Sequence, residues 1–274
     1  MDSTYDKMFY HHGELIGGID EAGVSDIAGP LVAACVVLPK IDIQRDDLRI
    51  FEVNDSKAIP EKYRKQHAEV VWQVALGIGI GEVHPYEIDY LGKYAAISLA
   101  MLRSIAACRK TTASRAHLRP DYLLIDGEFP VQTSIKHKHI IHADTKSLCV
   151  AAASVVAKVY RDEIMIRYHE QYPYYGWDSN KGYPCENHFG GIDTHGVQVG
   201  IHRIRSWPFV PNAKIKERGN AWKKRRLLWR RKTEEIFGKE LGDVWMPKDT
   251  DSKFLTALDD SKNSEETLEK NSLP

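Results

Sequence analysis

Short apolar runs that stop at acidic residues alternate along this chain with stretches of helical period, and that interleaving constrains its fold most. Residues 15–19 lead into Asp20, residues 122–125 lead into Asp126, and residues 135–142 precede Asp144. A β-branched run at 31–38 is bounded by Pro30 and Pro39, and 75–83 reads as a glycine-spaced strand. Between these lie helical patterns at 60–72, where Pro60 suits a first turn, at 95–108, and in a strongly apolar segment near 148–168. Strands and helices taken in turn favour a three-layer α/β sheet over an all-α bundle or a β-sandwich.

Composition narrows the class. The longest mostly apolar runs, 27–38 and 148–159, fall short of the roughly 20 residues that span a bilayer, so no membrane partner is expected. The opening Met1-Asp-Ser-Thr-Tyr-Asp-Lys7 lacks an apolar stretch behind a basic head, which sets the expectation of a cytoplasmic chain. Cys35, Cys108, Cys149 and Cys185 form no C-x-x-C pair and read as reduced packing residues. Lys+Arg and Asp+Glu both total 38, but unevenly placed: 201–232 holds twelve basic residues against the single acid Glu217, and 239–274 holds nine acids against five lysines. The expected organisation is a catalytic domain at 14–209, a basic helical arm at 210–238 and an acidic tail at 239–274, its 249–274 segment disordered. The arm, with Trp222 and Trp229 among its cations, reads equally as a phosphate-contacting helix or as one that packs its tryptophans.

In open α/β sheets, ligands gather in the crevice beyond strand ends, which is where Asp20, Asp126 and Asp144 fall. Carboxylates converging there repel one another unless a cation lies between them, and hard divalent ions favour oxygen ligands. Taken singly, an Asp before Gly also reads as a turn cap. Asp20 and Glu21 pose a geometric problem, because successive strand residues point to opposite faces; a break near Gly23 would let both reach one site. Asp162 and Glu163 sit over three turns into the apolar helix and read as surface or salt-bridged. His137 and His139 would share one strand face and His142 the other, which argues against a zinc cluster.

Gly18-Ile-Asp-Glu-Ala-Gly23 followed by Ala28-Gly-Pro30 resembles the opening motif of the ribonuclease HII family, usually G-x-D-E-A-G-R-G-P-x-x-G-P. Further segments match in order: Asn54-Asp-Ser-Lys57, Ile125-Asp-Gly127, Ala143-Asp144, Ala152-Ala-Ser154 with Ala157-Lys158, Lys181-Gly-Tyr-Pro184, and His202-Arg203. The resemblance covers about 16–209 and implies an RNase H-like fold, a mixed central sheet flanked by helices with a C-terminal helical extension. It implies an endonuclease that cuts the RNA strand of RNA–DNA hybrids or junction duplexes with two Mg²⁺ or Mn²⁺ ions, leaving 5′-phosphate and 3′-hydroxyl ends. Asp20, Glu21, Asp126 and Asp144 match the family's metal-binding carboxylates, while Gly23, Val24, Ser25, Lys57, Ser154, Lys158 and Tyr183 match nucleic-acid-binding positions. A monomer acting in DNA replication and repair is the corresponding expectation.

The chain departs from that pattern in one informative place. After Gly23 the family usually has Arg-Gly-Pro, whereas here Val24, Ser25 and Asp26 follow. In the family this turn reads the 2′-hydroxyl and phosphate of a ribonucleotide together with the tyrosine that Tyr183 matches. Losing the Arg removes a phosphate-pairing cation, although main-chain N–H groups remain. The related ribonuclease HIII family, which prefers runs of ribonucleotides, has Asp where Asp26 stands, but Ala22 is as in ribonuclease HII. Gly92 stands where Asn is common. A homologue that binds hybrids with reduced or altered cleavage is the competing expectation, and a nuclease of broader RNase H-like type a third.

Overall fold

The computed structural model describes residues 4–40 and 60–205, together with 228, 229, 231 and 232. The chain divides into two units, 1–208 and 209–274. The second is described only at those four positions, which are helical, so the readings of the arm and tail fall outside the described residues, as does Lys57.

In the first unit the order is α1 (Thr4–Lys7), β1 (Ile16–Ala22), β2 (Leu31–Val37), α2 (Glu61–Val74), β3 (Gly77–Val83), α3 (Pro85–Leu91), α4 (Lys93–Ala106), β4 (Arg109–Lys110), β5 (Tyr122–Asp126), β6 (Lys136–Ile140), α5 (Leu148–Gln171), α6 (Trp177–Asn180) and α7 (Glu186–His195). Six strands form one mixed sheet in the order β4-β3-β2-β1-β5-β6. β1 runs parallel to β5 and β5 to β6, while β1–β2, β2–β3 and β3–β4 are antiparallel. The α/β expectation and its central mixed sheet therefore hold.

The two faces of the sheet follow from side-chain alternation. Ile16, Val32, Ala34, Val36 and Leu124 pack with the buried stripe of α5 and with Val71 of α2. Ile19, Leu31, Ala33, Cys35, Leu123 and Ile125 pack with Ile97, Ala100 and Met101 of α4. Helix α5 starts at Ser147, whose hydroxyl accepts the Val150 N–H and supplies one of the missing first-turn partners. It lies close against β1 because Gly18 has no side chain there: a Cβ would run into the Cys149 backbone. That contact sets the first turn of α5 beside the strand that carries Asp20.

Two boundaries differ from the sequence reading. β1 does not stop before Asp20 but runs through Glu21 to Ala22, with Asp20 opposite Ala34 and Glu21 opposite Ala33 on β2. Pairing to β2 holds the extended backbone whatever the side chains are, so the break falls later, at Gly23, whose φ is +93°. β6 is shorter than 135–142 and ends at Ile140, because His142 adopts a left-handed φ of 55° and turns the chain into a short 3₁₀ segment, Ala143–Thr145.

Candidate active site

Parallel pairing of β1 and β5 places Ile19 beside Ile125, and the next residue on each strand is an aspartate. Ile19 and Ile125 both face α4, so alternation turns Asp20 and Asp126 together toward the α5 side, at the carboxyl ends of neighbouring strands. Asp126 Oδ1 accepts the Ala143 N–H at 2.6 Å, which ties the end of β5 to the 3₁₀ turn carrying Asp144. Asp20 and Asp144 are both buried. Asp20 Oδ1 takes the Glu21 N–H at 2.7 Å, and the Ser154 hydroxyl of α5 hydrogen-bonds the same carboxyl.

Electrostatics identify this as a costly arrangement. Burial holds the Asp20 carboxyl well above the usual carboxylate range, and the nearby charges of Glu21 and Asp126 push it the same way; the Ser154 bond opposes them only in part. Like charges crowded at one buried corner favour a proton or a cation there. Glu21 lies at that corner but, on an unbroken strand, its side chain is directed to the α4 face. Among the described residues no three His, Cys, Asp or Glu side chains are gathered closely enough to form a metal cage as they stand.

The region just past β1 is built differently. Arg161, fully buried on α5, donates from Nε to the Pro30 carbonyl, from Nη1 to the Lys181 carbonyl and from Nη2 to the Ala28 carbonyl, at 2.8–2.9 Å. The same Nη2 lies 2.8 Å from Asp26 Oδ2. Arg203, also buried, donates to the carbonyls of Gly23, Gly29 and Pro30 at 2.6–3.0 Å. Gly23 is required twice: its φ is +93°, and a Cβ would collide with the Arg161 guanidinium. Val24 packs on the α4-side core and Ser25 is exposed. Asp26, the residue that departs from the usual proline, is thus the carboxylate that matches a buried arginine.

The same arginine joins the turn to the loop bearing Tyr183. Lys181 sits at a left-handed φ of 51°, its ammonium pairs with Glu61 at 2.7 Å, and the Gly182 carbonyl accepts the Ile27 N–H at 2.9 Å. Tyr183 is 55% exposed, so its ring is presented to solvent beside the turn. Its carbonyl accepts His188 Nδ1–H at 3.0 Å, and His188 Nε2 accepts the Trp177 indole N–H at 2.9 Å. Burial pushes His188 down to about 4, the bond to the Tyr183 carbonyl opposing it in part. Lys158, one turn beyond Ser154 on α5, is held by Asp162 at 2.5 Å. Asp162 is therefore salt-bridged, as its position in the helix suggests.

Thus Ser154 bonds Asp20, the charge of Asp126 acts on it, Ala143 ties Asp126 to the turn of Asp144, Gly23, Val24 and Ser25 follow directly on β1, and Gly182, next to Tyr183, is bonded to Ile27 of that turn. The sequence reading missed Arg161 as a clamp. Its signal is a cation within the apolar stretch of α5, but the Ala28 and Pro30 carbonyls it binds lie more than 130 residues earlier. Gly92, the other departure, links α3 to α4 at φ 78°, ψ 162°, a conformation open essentially to glycine alone, so an asparagine would not fit this backbone.

Comparison with known proteins agrees with this geometry. A family model described as Ribonuclease HII matches residues 17–206. The chain is 40% identical over 200 residues to a Ribonuclease HII of Caldanaerobacter subterraneus subsp. tengcongensis, covering 73% of this chain and 77% of that protein. It is 42% identical over 197 residues to one of Bacteroides thetaiotaomicron, covering 71% and 91%. The crystal structure of the ribonuclease H2 from Pyrococcus horikoshii OT3 shares the fold, with a TM-score of 0.59 at 21% identity over 79% of this chain and 99% of that one. The strand-end aspartates, the turn after β1 and the loop of Tyr183 all lie within the matched region, and the chain belongs to the ribonuclease HII family of hydrolases.

Proposed function

We propose that this protein is an endonuclease that hydrolyses the RNA strand of RNA–DNA hybrids with the help of divalent cations, leaving 5′-phosphate and 3′-hydroxyl ends. The observation that carries the reading is the pairing of Asp20 and Asp126 on one face at adjacent parallel strand ends, with Asp144 tied to Asp126 through Ala143. An all-oxygen donor set with this much mutual repulsion fits Mg²⁺ or Mn²⁺, and Asp20, Asp126 and Asp144, with Glu21 turned from the strand edge, would hold two such ions. When bound, such ions supply Lewis acidity toward a phosphoryl group and offset the charge of the departing oxygen.

The chain's own groups do the positioning. Ser154 fixes one oxygen of Asp20, and the Ala143 N–H fixes Asp126, so neither carboxylate must be ordered when the substrate arrives. The Gly23–Ser25 turn, clamped by Arg161 and Arg203, offers main-chain donors to a ribose 2′-hydroxyl, and Tyr183 offers an exposed ring beside it. Lys158, through its pairing with Asp162, and Lys57 would contact the phosphate backbone. Action as a monomer in the cytoplasm, in DNA replication and repair, is the setting that goes with this reading.

Cleavage of four duplexes tests it: a uniform RNA–DNA hybrid, DNA containing one ribonucleotide, double-stranded RNA and plain DNA. Cutting of the hybrid RNA strand with Mg²⁺ or Mn²⁺, and of neither control, is expected; cutting of plain DNA, or of nothing, contradicts it. The Val24-Ser25 turn favours one further reading, altered specificity, which appears as efficient cutting of the uniform hybrid but weak cutting at a single ribonucleotide.

A further inference from the structure

A cavity of about 330 Å³ opens beside the turn after β1, at the small end of the roughly 300–1,000 Å³ typical of ligand clefts. Val24, Ser25 and Asp26 line it from the turn, Asp89 and Lys93 from the α3–α4 junction, and Arg205 from the chain after Arg203. Its acids are already engaged. Asp26 lies against the buried Arg161, and Asp89 Oδ1 accepts the Arg205 N–H at 3.0 Å. Burial also pushes Asp89 up to about 6, so it carries less negative charge than an exposed aspartate near that pH. Arg203 spends its guanidinium on three carbonyls of the turn and serves as frame. The cations that give the cavity its character are Lys93, exposed at the start of α4, and the half-buried Arg205. Gly92 leaves the floor between them and Asp89 open, since a Cβ there would meet nothing within 4 Å.

We infer that Lys93 and Arg205 together hold one phosphodiester of the nucleic-acid backbone in this cavity, next to the ribose presented to the Gly23–Ser25 turn. The inference rests on the function proposed above. The position suits it: the cavity is lined by Val24 and Ser25 of the same turn that follows β1 and its Asp20. It also supplies positive charge beside a turn whose Val24 has none, from residues distant in sequence.

The test is fluorescence anisotropy of the full chain with a labelled RNA–DNA hybrid in EDTA, over a series of chloride concentrations. The pair of substitutions Lys93→Ala and Arg205→Ala is expected to raise Kd about tenfold, the loss of one charge-assisted contact. It should also flatten the slope of log K against log salt by about 0.9, the share of one phosphate. Lys93→Glu alone, which leaves the Arg205 side chain in place, gives the same direction of change should the pair disturb folding. An unchanged slope in both variants overturns the subsite. Wild-type cleavage of the same hybrid with Mg²⁺ or Mn²⁺ is read in parallel: cleavage with an unchanged slope overturns the subsite and leaves the function standing, whereas absence of cleavage overturns both.

Discussion

Two charged regions meet at the end of β1, and they are built on opposite principles. In the turn after the strand, Arg161 and Arg203 are buried with carbonyls around them and Asp26 against Arg161, so the buried charge is hydrogen-bonded and fixes a shape, although burial and the Arg161 charge push Arg203 down to about 9. At the strand ends, Asp20 is buried with Glu21 and Asp126 nearby, and among the described residues the Ser154 hydroxyl and a backbone N–H compensate in part. Hydrogen-bonded charge serves as scaffold; charge of one sign gathered at a buried corner favours a proton or a cation. Removing a charge should therefore have opposite effects on stability in the two regions.

The largest effect is expected at the unmatched corner. Asp126→Asn should lower hybrid cleavage a thousandfold or more, roughly 4 kcal/mol of transition-state stabilisation, while hybrid binding in EDTA is retained. Normal cutting by this variant would show that the aspartates are not the reacting centre. On the matched side, Arg161→Met takes the guanidinium from the Ala28 and Lys181 carbonyls and from the Asp26 carboxylate, leaving the Pro30 carbonyl to Arg203, and denaturant unfolding should show a loss of about 3–5 kcal/mol. A loss within about 0.5 kcal/mol would mean that the clamp contributes no more than a surface residue.

A third effect concerns His188, beneath the loop of Tyr183. Its native form stays neutral down to about 4, whereas in the unfolded chain it titrates near 6.5. Between those values the unfolded state binds the extra proton, so stability falls as pH drops from 6.5 toward 4, by an amount on the order of 2–3 kcal/mol from this group. Asp89, raised to about 6, opposes the trend by favouring the protonated native state in part of the same window. His188→Gln should therefore unfold with a shallower acid dependence than the wild type; an identical pH profile would remove His188 from the account.

The smallest effect sharpens the comparison most. Asp20→Asn keeps an acceptor for Ser154 and for the Glu21 N–H but removes a buried charge that its neighbours repel. Thermal unfolding in EDTA at neutral pH should show stabilisation by about 1–2 kcal/mol, together with loss of cleavage. Destabilisation would mean that the corner is not under electrostatic strain.

Much of this was legible in the residues. Strand β5 matches the apolar run before Gly127 because nothing in Tyr122-Leu-Leu-Ile competes with extended backbone. The α5 core is marked by its alanine-rich stretch behind Ser147. The end of β1 was not legible, because pairing with Ala33 and Val32 of β2 carries the strand past two acids that by themselves suggest a turn. That three-residue difference decides which face Glu21 takes. Arg161 was hidden for another reason: its partners come from the turn at 26–30 and from Lys181, and no local pattern reports contacts across such distances. Asp26, which reads as a departure from the family motif, acquires its meaning only once Arg161 is seen beneath it.

Manganese binding followed by electron paramagnetic resonance, in the wild type and in Asp126→Asn with hybrid present, tests the central claim most directly. Saturable Mn²⁺ binding by the wild type that weakens at least tenfold in the variant is the predicted result. Equal binding by the two proteins would contradict the assignment of the strand-end aspartates as the metal site.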